Sequence, residues 1–203
     1  ETLNDGLVRS EEDRGRYYGY ILRESLRLSR LINDLLELSR LQSGAVALVR
    51  ESFDLAQLAR EVAGRMGETA GYSGIQVRLE LEGAGPLPAY SNRDRVEQVL
   101  VCLMDNAIKF ASDDGVIVLA VRAEAEAYEV LVKNTGHIAE ADLPHIFERF
   151  YKADTAHADS SGTGLGLAIA RETIDRLGES IAAANEDGFA VFRFTVGRSA
   201  EGR

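Results

Sequence analysis

The chain has 203 residues, enough for one large domain or one domain with a helical appendage. Its 33 acids against 23 Lys and Arg leave a formal net charge of -10, which excludes general nucleic-acid binding but still lets a multiply charged anion bind at a local site. A single Cys excludes an internal disulfide, and no Cys/His zinc spacing occurs.

No apolar run reaches the roughly 18 residues of a membrane span, so nothing in this portion is expected to enter a bilayer. No signal peptide opens the chain. The polar start ETLNDGLVRSEED reads as a fragment boundary.

Ser10 followed by Glu11, Glu12 and Asp13 predicts a helix start, with a capping hydroxyl and acids in the first turn. The helix is expected to run to about Gln42, with Gly44 as its stop. Ile21, Leu28, Leu31, Ile32, Leu35 and Leu38 recur at three- and four-residue steps over more than one face, the spacing of a bundle helix. Such a seam needs a partner helix; the competing possibility is an amphipathic helix packed on its own domain.

After Gly44 the expected elements are a short strand over Ala45–Phe53 and a helix from Asp54 to about Met66. A loop over GETAGYSG follows, then the alternating strand IQVRLELE and a loop over GAGPLPAYS. A helix is expected from Asp94 to Ala111, then strands VIVLAVRAE and YEVLVK, and a short helix over Asp142–Phe150. A long loop spans Lys152–Gly164, a helix Leu165–Leu177 closes at Gly178, and two strands end the chain, around Ile181 and over Phe189–Val196. The sum is a helical stem over residues 1–43 and a mixed α/β domain over 44–203.

Three constellations carry chemistry. On the helix that carries VLVCLMDNAIKF, Val96, Val99, Leu100, Leu103, Ala107 and Phe110 form one apolar stripe at about 100° per residue, extended by Val101, Met104 and Ile108. Arg95, Cys102, Asn106 and Lys109 share a narrow polar line on the same helix. That line faces either water or a polar ligand.

In SSGTGLGLAIARETIDRLG, Gly162, Gly164 and Gly166 alternate directly before a helix. Glycines let backbone approach a ligand, and the helix start offers unpaired N–H groups to anions. A plain flexible loop is the alternative. Neither a Walker A loop nor the dinucleotide fingerprint is present.

In VKNTGHIAEADLPHIFERFYK, Asn134 and Gly136 end a strand, and Phe147, Phe150 and Tyr151 surround Arg149 and Lys152. Core packing and a solvated basic face account equally well for these residues. His137, His145 and His157 have no partners at triad or metal spacing.

The order and combination of these segments resemble sensor histidine kinases. DNAIKF is similar to the N box, VKNTGHI to a divergent G1 box, LPHIFERFYK to the F box and SGTGLGLAIA to the G2 box. RYYGYILRESLRLSRLINDLLELSRLQSG resembles the second helix of the dimerisation and histidine-phosphotransfer domain. The resemblance covers about Glu11 to Val196. It implies the two-layer α/β sandwich with a mixed sheet that is shared with gyrase, mismatch-repair and heat-shock-chaperone ATPases, preceded by a long bundle helix.

By position, the resemblance assigns Asn106 to Mg²⁺, and Lys109 and Lys152 to ATP phosphates, these three being the catalytic set. Phe110, Ile138, Tyr151 and Leu167 line the nucleotide. Asn134 reads the adenine amino group, where the family has Asp, and Gly136 lets backbone approach the base. Gly162, Thr163, Gly164, Leu165 and Gly166 form the lid and its helix start. The implied partners are ATP, a second copy of the full-length protein and a response regulator, with this portion cytoplasmic and the whole protein membrane-anchored.

Four departures from the pattern stand out. No acceptor-His motif occurs, so self-phosphorylation at the expected site is not expected. Cys102 stands where the N box has another Asn, and a thiol is a weak hydrogen-bond partner and a poor Mg²⁺ ligand. The G1 box has Asn134 for Asp and is one residue short. The last glycine motif is reduced to DGFAVF around Gly188. A competent kinase core, a degenerate nucleotide-binding or interaction module, and a related ATPase or serine kinase on the same fold are the functions these residues leave open.

Overall fold

The computed structural model describes residues 10–153 and 162–198. Helix α1 spans Glu11–Gln42, followed by β1 (Glu51–Asp54), α2 (Leu55–Gly71), β2 (Gln76–Leu81), β3 (Pro88–Ser91) and α3 (Arg93–Phe110). Then come β4 (Val116–Ala123), β5 (Ala127–Thr135), α4 (Gly166–Arg176), β6 (Ile181–Glu186) and β7 (Phe189–Gly197).

Side-chain caps set the helix starts. Ser10 Oγ accepts from Asp13 N at 3.0 Å. Asp54 Oδ1 accepts from both Ala56 N and Leu87 N at 2.9 Å, so one carboxylate starts α2 and pins the chain entering β3. Asn92 caps α3 through Arg95 N at 3.0 Å and holds Val49 O at 2.7 Å. Each cap satisfies donors a helix start leaves unpaired, worth about 1 kcal/mol.

The main sheet has the order β2-β4-β5-β7-β6. Its β2–β4 pair is parallel and the other three are antiparallel, so the sheet is mixed. Alternation along the strands divides its faces. Ile117, Leu119 and Val121 of β4, Val130 and Val132 of β5 and Phe192, Phe194 and Val196 of β7 share one core with α2, α3 and the end of α4. Val118, Ala120, Leu131 and Val191 form a small cluster on the opposite face. This is the expected two-layer sandwich.

The α3 stripe is the centre of that core. Val96, Val99, Leu100, Leu103, Met104 and Ala107 are at most 1% exposed; full burial of each large side chain is worth about 1.5–3 kcal/mol. Phe110, expected on the same stripe, is 52% exposed and stands outside the core.

Four expectations are corrected. The strand expected over Ala45–Phe53 is confined to Glu51–Asp54. Helix α2 continues through most of GETAGYSG to Gly71, because Ala70 is fully buried and extends the apolar face. GAGPLPAYS contains β3, paired antiparallel with β1, and Pro88 is tolerated as the first residue of that strand. Asp142–Phe150 is a string of turns, with Asp142 O accepting from both His145 N and Ile146 N. Pro144 removes a donor there and disfavours helical backbone at Leu143, and so short a segment cannot offset helix nucleation. The Lys152–Gly164 loop lies largely outside the described residues.

The stem helix lies against the domain at its C-terminal end. Leu38 and Leu41 are buried with Leu165 and Ile169, and Leu31 packs against them. Further along, Ile21, Leu28, Ile32 and Leu35 are 50–57% exposed. The two apolar faces read from the sequence therefore separate: one docks on α4 and the other is open.

Candidate functional site

The polar line on α3 serves two neighbours. At its N-terminal end Arg95 is ion-paired with Glu37 of α1, and Gln98 Nε2 donates to the same Glu37 oxygen at 2.8 Å. Further on, Cys102, Asn106 and Lys109 line a cavity of about 370 Å³. Asn106 is half-buried, and its amide takes no hydrogen-bond partner among the described residues. Lys109 is ion-paired with Asp105, one turn earlier on the helix.

The cavity draws on every segment singled out in the sequence. From the expected set it gathers Asn106, Lys109, Phe110, Asn134, Ile138, Tyr151, Lys152, Gly162, Thr163, Gly164, Gly166 and Leu167. Two expected residues do not line it. Gly136 sits just behind: a Cβ there would lie 3.1 Å from Phe110 O and 3.4 Å from Asn134 Nδ2, so only glycine permits this approach. Leu165 faces the stem, where it is fully buried against Leu38 and Leu41.

Asn134 is 2% exposed, near the end of β5. Its Nδ2 donates to Thr135 O at 3.2 Å, and the residue lines the cavity. Beyond it, Ile138 N donates to Asn185 Oδ1 at 2.9 Å, and Asn185 Nδ2 returns to Ile138 O at 2.8 Å. This two-way clamp from β6 holds the shortened G1 turn. DGFAVF is the β6–β7 hairpin, with Asp187 and Gly188 in the turn, and Gly188 O accepts from Gly136 N at 3.4 Å.

The glycine segment is tied to the F box. Phe150 N donates to Gly164 O at 2.8 Å. Gly164 has φ +74, and a Cβ there would lie 2.9 Å from Phe150 C and Cα. Tyr151 OH donates to Asp142 Oδ1 at 2.6 Å, and Phe147 packs edge-on to Phe192 at 6.3 Å.

Sequence reasoning missed several residues of this site, His137 among them and five more with polar side chains. Arg30 and Asp34 come from the stem, Asp105 and Asp142 are further acids of the cavity wall, and Asn185 supplies the clamp. A signal existed for Asp105, which stands four residues before Lys109 on one helix. None existed for the stem pair, whose place depends on how α1 docks. Among the described residues, no group of three or more His, Cys, Asp or Glu is arranged to hold a metal ion.

Residues 91–199 match the family model "Histidine kinase-, DNA gyrase B-, and HSP90-like ATPase", and residues 1–44 match "His Kinase A (phospho-acceptor) domain". The chain is 33% identical over 196 residues to Sensor protein SphS of Synechococcus elongatus, covering 91% of this chain and 46% of SphS. Among solved structures, full-length ShkA in complex with AMPPNP superposes with a TM-score of 0.76 at 30% identity, over 91% of this chain and 39% of ShkA. The histidine kinase ThkA in complex with the response regulator protein TrrA gives a TM-score of 0.77 at 27% identity, over 98% of this chain and 55% of that one. The chain spans less than half the length of curated relatives it matches, 46% of SphS among them. The four boxes, the sandwich that carries them and these likenesses together place the chain in the sensor histidine kinases, within the histidine kinase-, DNA gyrase B- and HSP90-like ATPase family.

Proposed function

We propose that this chain is the ATP-binding catalytic core of a two-component sensor histidine kinase. On this reading it transfers the γ-phosphoryl group of ATP to a His on a bundle helix, for relay to a response regulator. The observation that carries it is the unpartnered amide of Asn106, facing the same cavity as Lys109, Lys152 and the lid glycines. A half-buried amide that spends none of its hydrogen bonds on the protein is available to a ligand in the cavity.

Mg²⁺ fits that amide. It takes oxygen ligands and keeps waters and phosphate oxygens, so one protein oxygen suffices without a carboxylate cluster. When bound, it neutralises charge between the phosphates. The protein's own part is positioning. Lys109 and Lys152 pair with phosphate oxygens, with Lys109 exchanging Asp105 for the anion. The side-chain oxygen of Asn134 accepts from the adenine amino group, Gly136 lets the G1 backbone approach the ring, and Phe110, Ile138, Tyr151 and Leu167 enclose it. Gly162, Thr163, Gly164 and Gly166 shape the lid, and the amides from Gly166 onward face the phosphates at the start of α4.

Domain organisation follows the same reading, with the stem over residues 1–43 and the catalytic domain over 44–203. The open apolar face of α1 pairs with a second copy. No described helix is long and apolar enough to cross a membrane, in keeping with a cytoplasmic place for this portion of a membrane-anchored sensor. The degenerate-module and related-ATPase alternatives are not favoured, since Asn106 and the lid glycines are retained beside the Cys102 and Asn134 departures.

Calorimetric titration with ATP, with and without Mg²⁺, tests the proposal. Binding strengthened by Mg²⁺ is expected, and Asn106→Ala should remove most of the Mg²⁺-dependent gain, roughly tenfold or more in affinity. Absence of binding at millimolar ATP would overturn the kinase reading. Transfer of phosphate to a supplied acceptor-His helix separates a kinase from a chaperone-type ATPase.

A further inference from the structure

The stem helix is a wall of the nucleotide cavity. Arg30 and Asp34, one turn apart on α1, line it together with Lys109 of α3 and Lys152 at the end of the F box. The three acids of the wall that come from different elements are already engaged by donors. Asp34 Oδ2 accepts from Thr163 Oγ1 at 2.7 Å, Asp105 is ion-paired with Lys109, and Asp142 Oδ1 accepts from Tyr151 OH at 2.6 Å.

Arg30 differs. Its one hydrogen bond among the described residues is a long one, Nε to Leu26 O at 3.4 Å within its own helix, and no described carboxylate pairs with it. Its planar guanidinium therefore keeps its terminal N–H donors available, a fork whose geometry matches two phosphate oxygens at once. An exposed arginine beside an occupied Asp34, on the wall of a cavity that already holds two lysines, is placed for an anion.

We infer that Arg30 is a phosphate-binding residue of the nucleotide site, supplied by the stem. The inference rests on the ATP reading above and extends it. The polyphosphate tail then bridges two parts of the molecule: Lys109 and Lys152 hold it from the catalytic domain and Arg30 from α1. Asp34 works beside it on the protein side, holding the lid through Thr163, whose Oγ1 also accepts from Leu165 N at 3.3 Å. Nucleotide binding and stem docking are thereby linked through the charge of the phosphates. The adenosine portion contributes nothing to that link, because Arg30 carries only donors.

The experiment is titration of the whole chain with ATP and with adenosine, for the parent, Arg30→Gln, Arg30→Lys and Lys109→Ala. Arg30 is exposed, so its variants should fold as the parent does, checked by thermal melts. Arg30→Gln is expected to weaken ATP about tenfold, as for loss of a charge-assisted contact, while adenosine affinity stays within about twofold and Arg30→Lys recovers part of the loss. ATP, but not adenosine, should also slow amide exchange in α1 around Arg30 in the parent. If Lys109→Ala weakens ATP and Arg30→Gln does not, the Arg30 assignment is overturned and the nucleotide site stands. Equal loss of ATP and adenosine in Arg30→Gln would also overturn it, since that marks a structural effect. A parent that binds no ATP removes the underlying reading, and the inference with it.

Discussion

Cys102 lines the cavity directly beside the Asn106 turn, where the family carries a second amide. Burial, and then the nearby Asp105 carboxylate, push its thiol up from the ordinary 9.0 to about 12, against the opposing pull of Lys109. At neutral pH it is a protonated, weakly polar group, so it would offer a metal ion neither charge nor a good donor atom. The folded chain holds this proton more tightly than the unfolded one. The thiol's contribution to stability is therefore constant below pH 9.0 and declines as pH rises from there to about 12. Alkylation at pH 8 should run roughly a thousandfold slower than for a free thiol, following the thiolate fraction. A native rate equal to that of the denatured chain would refute the buried, protonated state.

Gly164 makes the other residue-scale prediction. Its φ of +74 and the 2.9 Å approach to the Phe150 backbone leave no room for a methyl group. Gly164→Ala should destabilise the lid anchor by about 1–3 kcal/mol and weaken ATP, with the melting temperature of the sandwich core little changed. Calorimetry beside a thermal melt separates the two effects.

At the scale of elements, the docking of α1 on α4 rests on few residues. Leu41 and Leu165 are fully buried, Leu38 is 2% exposed and Ile169 is 6% exposed. This cluster is separate from the main core, so it can open without unfolding the sheet. Polar contacts along the same seam add direction: Glu37 with Arg95 and Gln98, Asp34 with Thr163, and Gln42 Nε2 with Glu172 Oε2 at 3.1 Å. Leu41→Ala should cost about 2–4 kcal/mol of docking. Hydrogen exchange should report faster opening in α1 and α4, with exchange in β4, β5 and β7 unchanged; uniform acceleration would contradict a separable stem.

Element boundaries also show what local pattern can convey. Caps, the α3 stripe and the alternation of β2 were legible because each is set by neighbours within a few residues. The β1–β3 pair was not. Four-residue strands carry little periodicity, and Asp54 reaches across 33 positions to hold Leu87 N. The turns over 142–150 were misread as a helix because acids and aromatics at helical spacing look alike whether or not Pro144 and the F-box contacts interrupt them.

For the whole molecule, the open face of the stem is the outstanding feature. Tyr18, Ile21, Leu28, Ile32 and Leu35 are 50–62% exposed along one 32-residue helix. A helix carrying that much bare apolar surface is expected to take a partner. Sedimentation should show concentration-dependent self-association, and Leu28→Glu with Ile32→Glu should abolish it while the catalytic domain melts as before. Concentration-independent monomer for the parent would rule out the stem as a pairing surface.

What the sequence by itself determined is the family and the fold class. The Asn106 and Lys109 line, the alternating glycines and the helix and strand periods are all local properties, and their order along the chain identifies the family. What only the tertiary structure decided is the company these residues keep. Periodicity states which face of α1 is apolar, but not that α4 covers one part of it and leaves the rest open. Arg30 and Asp34 look like solvated stem residues in one dimension. They become cavity wall because a contact across 129 positions, from Asp34 to Thr163, brings the stem to the lid. Such contacts are set by packing among elements, and no short-range pattern in the chain encodes them.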